Sequence, residues 1–167
     1  LDKIHIFIEK KPLRKNNLAN YKDSKAMLEI AVKDYPATVV NEIGSSNITA
    51  KNCLNFLDKN YKNGEYWYIL GSDLLEHVQS WQNKNMLINN FNFCIVLREN
   101  KDRQKTEQTI KALMKDSTKQ YKILPAVFSR VSSTKVKELL PNAEEFLDHK
   151  VLHYIKENNL YSSASSK

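Results

Sequence analysis

Three segments of this sequence carry side chains whose types and spacing suit a phosphorylated ligand. Ser132-Ser133-Thr134-Lys135-Val136-Lys137, with Arg130 just before it, sets three hydroxyls and three cations at one expected helix start. Small hydroxyl residues cap a helix by accepting hydrogen bonds from its first N–H groups, and the same N–H groups can receive a phosphate instead. A cap needs fewer hydroxyls and cations than stand here, so capping and phosphate binding are evenly matched readings. The second segment is Tyr66-Trp67-Tyr68-Ile69-Leu70-Gly71-Ser72-Asp73, an apolar run ending in Gly-Ser-Asp. Gly lets a ligand approach the backbone closely, and an Asp past a strand end either caps the next helix, its commoner use, or accepts hydrogen bonds from a ribose. Trp81 follows in the polar setting Gln79-Ser80-Trp81-Gln82-Asn83. Its indole is a face on which a heteroaromatic ring could stack, although partial burial in the packing is the commoner use of such a Trp. The third segment is the basic loop Lys10, Lys11, Arg14 and Lys15. It could hold a polyphosphate through an arginine fork and lysine point charges, or stand as a solvated charged loop.

The elements that must position these residues are legible from hydrophobic period. Strand-like runs at 3–8, 38–43, 66–70, 93–97 and 121–127 alternate with helical patterns at 18–33, 50–60, 73–78 and 106–115. A helix opening at Ser132 and an amphipathic helix over 143–158, with Phe146, Leu147, Val151, Leu152 and Ile155 on one face, complete the series. Strands alternating with helices imply parallel pairing and right-handed crossovers, because a parallel connection needs a long return path. The expectation is a doubly wound, Rossmann-like α/β fold, one domain over residues 1–161 followed by a disordered Ser-rich tail at 162–167. In open sheets of this kind ligands bind at the carboxyl ends of the strands, where the Gly-Ser-Asp segment and the basic loop fall.

Composition narrows the function classes. The 167 residues are 41% hydrophobic and 27% charged, the balance of a globular domain and not of a disordered or disulfide-framework chain. No apolar run approaches the roughly 20 residues that span a bilayer, and no membrane association is expected. Cys53 and Cys94 stand in apolar stretches as small hydrophobes, which fits a reduced, cytoplasmic setting. His149 and His153 lack the intervening Glu of a metalloprotease pair and read as surface residues, and no metal site is expected. Gly-x-Gly-x-x-Gly, P-loop and Gly-x-Ser-x-Gly motifs are absent from the sequence. The formal charge of +7 would attract phosphorylated ligands and motivates a basic nucleic-acid-binding domain as an alternative, which lacks a recognisable motif or stacking platform.

Taken together, these segments resemble the nicotinate/nicotinamide mononucleotide adenylyltransferases of the nucleotidyltransferase superfamily. Ile69-Leu70-Gly71-Ser72-Asp73 followed by Trp81 is similar to the family's Gly-Ala-Asp segment and its tryptophan. Val131-Ser132-Ser133-Thr134-Lys135-Val136-Lys137 resembles Ile-Ser-Ser-Thr-x-Ile-Arg, with Lys137 in place of Arg. Pro12-Leu13-Arg14-Lys15 is similar to Pro-Pro-His-Lys, and the ending 151–161 to the family's closing helix and Leu-Tyr. The resemblance implies adenylyl transfer from ATP to nicotinate or nicotinamide mononucleotide, giving the dinucleotide and pyrophosphate in NAD biosynthesis, with Mg²⁺ accompanying ATP. It implies that Lys15, Gly71, Asp73, Ser132, Ser133, Thr134 and Lys137 serve ATP and that Trp81 stacks on the pyridine ring of the mononucleotide. The family's His-x-Gly-His segment, whose histidines stabilise the transferring phosphate, would precede the strand at 3–8. It is not in this sequence, so the first strand of the sheet is expected to be missing and no catalytic residue is assigned. A catalytically inactive nucleotide-binding module of the same fold is the alternative, and a homo-oligomer is compatible with either.

Overall fold

The computed structural model describes residues 2–10, 19–44, 48–62, 64–126, 132–140 and 142–161. Its contacts gather into two compact units, the first made of Leu1–Ile48 with Val131–Lys167 and the second of Thr49–Arg130.

In the first unit β1 (Ile4–Phe7) and β2 (Thr38–Asn41) pair in parallel, with Ile4 opposite Thr38 and Phe7 opposite Asn41. Helix α1 (Tyr21–Val32) provides the return path between them. Asn20 caps it, accepting from the Asp23 N–H at 2.9 Å and so satisfying one of the helix's free N–H groups, while its amide donates to the Asp23 carboxylate at 2.8 Å. Asn41, buried at the end of β2, donates through Nδ2 to Nδ1 of His5 and to the Val39 carbonyl, both at 3.0 Å. An imidazole that accepts at Nδ1 carries its proton on Nε2 when neutral. Two further helices follow, α6 (Ser133–Leu139) and α7 (His149–Glu157). Helix α7 buries Val151, Leu152 and Ile155 and packs on α1, where the Tyr154 hydroxyl donates to Asp23 Oδ1 at 2.9 Å and Lys150 Nζ reaches Asp34 Oδ2 at 2.8 Å.

The last helix is shorter than its apolar pattern implies. Residues 143–147 form a turn in which the N–H groups of Phe146 and Leu147 both bond the Ala143 carbonyl, and α7 starts only at His149. Asp148 explains the late start: its carboxylate accepts from the Lys150 N–H at 2.8 Å, a capping bond that places the helix boundary there.

In the second unit α2 (Ala50–Asn60), capped by Thr49, leads to β3 (Trp67–Gly71). Then come α3 (Ser72–Leu75), a 3₁₀ turn at Val78–Ser80, α4 (Lys84–Asn90), β4 (Asn92–Val96), α5 (Arg103–Leu113) and β5 (Tyr121–Leu124). The three strands pair in parallel in the order β3-β4-β5, so β4 is flanked on both sides. The single helix expected at 73–78 is divided between α3 and the 3₁₀ turn, and α4 was not anticipated. Phe93 and Ile95 on β4 are inaccessible, and Phe91, Leu75, Leu87, Val78 and Ile110 of the same unit are buried as well. Asn92 is buried and satisfied: its amide donates to Glu65 at 2.7 Å and its carbonyl oxygen accepts from the Gln120 N–H at 2.8 Å, fixing where β4 begins relative to the approaches to β3 and β5.

Alternating elements and parallel pairing are therefore as the sequence implies. Cys53 and Cys94 are free and buried, as small hydrophobes. Burial pushes the Cys53 thiol up to about 11 and raises that of Cys94 as well. Among the described residues no helix is long and apolar enough to cross a membrane, and no group of three His, Cys, Asp or Glu could hold a metal ion. The Ser-rich tail at 162–167 lies outside the described residues.

Candidate functional site at the strand ends

The register Gly71 opposite Val96 brings the chain out of β3 and β4 at the same edge of the sheet. Two residues past each partner stand Asp73 and Arg98, and they meet: Arg98 Nε lies 3.1 Å from Asp73 Oδ1. The backbone N–H of Arg98 donates to Ser72 Oγ at 3.0 Å, joining the two exits a second time. Gly71 has an ordinary φ of -74°, so its lack of a side chain matters here through space. A Cβ there would collide with the Asp73 carboxylate and lie 3.6 Å from Arg98 Nε. Sequence, register and close approach thus build a strand-end carboxylate flanked by a guanidinium, both about half exposed.

This edge opens into a cleft of about 150 Å³ lined by Ser72, Asp73, Glu76, Arg98, Lys105 and Thr106, among others. Lys105 Nζ sits 2.6 Å from Glu76 Oε1. The hydrogen bond from Lys105 holds the Glu76 carboxyl below the usual carboxylate range, and Glu76 in turn holds the lysine up. The cleft therefore offers hydroxyls and paired charges of both signs, a surface suited to the polar parts of a small molecule.

Trp81 ends the 3₁₀ turn in the same unit. It is half-buried, its N–H bonding the Val78 carbonyl at 3.0 Å and its carbonyl accepting from Lys84 at 3.1 Å. Tyr68 on β3 meets the indole edge to face, with ring centroids 6.4 Å apart and planes at 73°. Trp81 is thus anchored in the packing and still partly open to solvent.

In the first unit Ser132 is the cap of α6, its Oγ accepting from the Lys135 N–H at 3.2 Å. Ser133 and Thr134 are exposed in the first turn. The two lysines of the motif lie against aromatic rings: Lys135 Nζ is 5.1 Å from the centre of Phe146 and Lys137 Nζ 5.1 Å from that of Tyr161. Lys15, with Lys11 and Arg14, lies outside the described residues. At the carboxyl ends of β1 and β2 a further charged group stands, which the motif reading did not single out. Glu42 binds Lys25 Nζ at 2.8 Å, with Lys10 at 4.0 Å, and the Lys25 hydrogen bond holds its carboxyl down. The Tyr21 hydroxyl is shut off from solvent and falls short of a full hydrogen bond, and burial first and then neighbouring Glu42 raise its pKa.

The second unit therefore brings Gly71, Ser72 and Asp73 together with Arg98, Glu76, Lys105 and Thr106, which sequence reasoning missed. Arg98 carried one usable signal: it is the first cation after the strand expected at 93–97.

The cytidylyltransferase-like family profile matches residues 1–139. This chain belongs to that family. Its relatives include a probable nicotinate-nucleotide adenylyltransferase of Borrelia hermsii, 27% identical over 165 residues, with 96% of this chain and 83% of the relative covered. Another of the same description, from Borrelia garinii subsp. bavariensis, is 26% identical over 141 residues, and the match spans 81% of this chain and 66% of the relative's length. Among solved structures, the nicotinic acid mononucleotide adenylyltransferase of Plasmodium falciparum complexed with NaAD superposes with a TM-score of 0.76 at 17% identity, covering 97% of this chain and 83% of that one. The same enzyme complexed with APC gives 0.73. The fold is thus the parallel, Rossmann-like α/β fold of the nucleotidyltransferases, and the resemblance stated from the motifs is borne out at the level of the family.

Proposed function

We propose that this chain serves the transfer of an adenylyl group from ATP to nicotinate mononucleotide, a step of NAD biosynthesis. The observation that carries the reading is the strand-end cluster of Gly71, Asp73 and Arg98 at the carboxyl edge of a parallel sheet, in a chain whose relatives across nearly its whole length bear that activity in their names. In this reading Asp73 accepts from a ribose hydroxyl, Gly71 leaves room for it, and the half-open face of Trp81 stacks on the pyridine ring. By the resemblance, Ser132, Ser133, Thr134, Lys137 and Lys15 serve the polyphosphate. The mononucleotide phosphate attacks the α-phosphorus of ATP and pyrophosphate leaves, so the work of these residues is positioning and charge stabilisation.

In this reading Mg²⁺ would accompany ATP, since it keeps much of its water and binds chiefly through phosphates. It would neutralise charge on the departing pyrophosphate. The His-x-Gly-His segment is not part of this sequence, so every role assigned here is a binding role.

Calorimetric titration with ATP and with nicotinate mononucleotide, paired with a pyrophosphate-release assay on the same sample, tests the reading. Saturable binding of both nucleotides is expected. Binding without pyrophosphate release marks a nucleotide-binding module, and affinity for RNA or DNA in place of nucleotides would overturn the reading.

A further inference from the structure

We infer that Arg98 is a positioning residue that holds one oxygen of the Asp73 carboxylate so that the other is presented to the ribose of ATP. The inference rests on the proposed nucleotide reading of Asp73. Three independent features converge on this carboxylate. Arg98 Nε lies 3.1 Å from Oδ1 as an ion pair, and Oδ2 is the carboxylate's other acceptor oxygen. The arginine is itself fixed at its backbone, where its N–H donates to Ser72 Oγ at 3.0 Å. Gly71 supplies the space, because a Cβ there would strike Oδ1.

An Asp at an exposed strand end would otherwise sample several rotamers, and an acceptor that must be ordered on binding loses affinity to the cost of ordering it. An ion pair this exposed adds little to folding. The precise arrangement therefore has its consequence in ligand recognition. The guanidinium suits the task, since its planar fork can grip a carboxylate in one geometry where an ammonium is only a point charge.

The test is titration of the wild-type chain, Arg98→Ala and Arg98→Lys with ATP and with 2′,3′-dideoxy-ATP, with thermal melts recorded alongside. Wild type is expected to prefer ATP about tenfold over the dideoxy analogue, the effect of a hydrogen bond to a charged acceptor. Arg98→Ala should lose about tenfold toward ATP while its affinity for the dideoxy analogue stays at the wild-type value. Arg98→Lys should recover part of the loss, and it carries the test alone should the alanine variant fail to fold. Equal weakening toward both ligands would show that Arg98 acts as a general positive charge and overturn the inference. Unchanged ATP affinity in Arg98→Ala would overturn it too, while leaving the proposed function standing. Failure of wild type to bind either ligand would remove the proposed function and this inference with it.

Discussion

The unit at Thr49–Arg130 takes its core from the sheet: Phe93 and Ile95 of the central strand are fully inaccessible, and the burial of β4 runs unbroken from Asn92 to Ile95. The unit formed by the chain's two ends does the reverse. Its strands bury only Asn41 among the described residues, α1 buries none, and the apolar burial falls on Ala143 and on Val151, Leu152 and Ile155 of α7. A parallel strand covered on both faces has little freedom of register, whereas half-exposed strands are specified more weakly. The difference extends to the candidate site. Asp73 and Arg98 follow two paired strands, of which β4 is buried, and meet at 3.1 Å, while Ser133 and Thr134 stand exposed on a short helix held by one cap.

Core truncation should separate the units most strongly. Phe93→Ala is expected to cost about 3 to 5 kcal/mol in denaturant unfolding, because a fully enclosed ring leaves a cavity that the sheet cannot collapse around. Leu152→Ala should cost about 2 to 3 kcal/mol. Ile6→Ala, on a half-buried strand, should cost only about 1 kcal/mol. A loss at Ile6 equal to that at Phe93 would break the comparison.

Acid should produce a smaller effect, which in the second unit works through Glu76 and Glu107, held down by Lys105 and Lys111, and in the terminal unit through two pairs on α1 and its neighbours. Lys150 holds the Asp34 carboxyl below its usual range, and Lys25 does the same for Glu42. These groups have a lower pKa folded than unfolded. Their contribution is thus complete above the unfolded value of about 4 and disappears as pH falls through the folded value. Both pairs are exposed, so the contribution is modest and added salt should erode it. Hydrogen exchange followed from pH 6 to pH 3 should show α1 and α7 losing protection before β4. Protection lost first in β4 would contradict the contrast between the units.

How far the sequence could be read follows the same division. The β4 run is a continuous apolar segment, and its strand was expected within one residue of its observed bounds. Helix α2 was expected at its observed bounds, since Thr49 caps it and Cys53 and Leu57 fall one turn apart. Helix α4 escaped notice because its Lys84-Asn85-Met86-Leu87-Ile88-Asn89-Asn90 is short, mostly polar and without a side-chain cap, and only Leu87 and Ile88 are buried. The start of α7 was misplaced because apolar period does not register the competing bond from Asp148. Gly71 and Asp73 were legible as a motif, but Arg98 was not, since its place beside Asp73 follows from strand register and not from local spacing.

The central claim is that the strand end around Asp73 seats a nucleotide. Titration of wild type and Asp73→Ala with nicotinate adenine dinucleotide tests it most directly, because that ligand carries both ribose groups and the pyridine ring. Saturable one-to-one binding is predicted for wild type, weakened about tenfold or more by Asp73→Ala with its thermal melt little changed. Absence of binding by wild type, or equal binding by the two proteins, would contradict the claim.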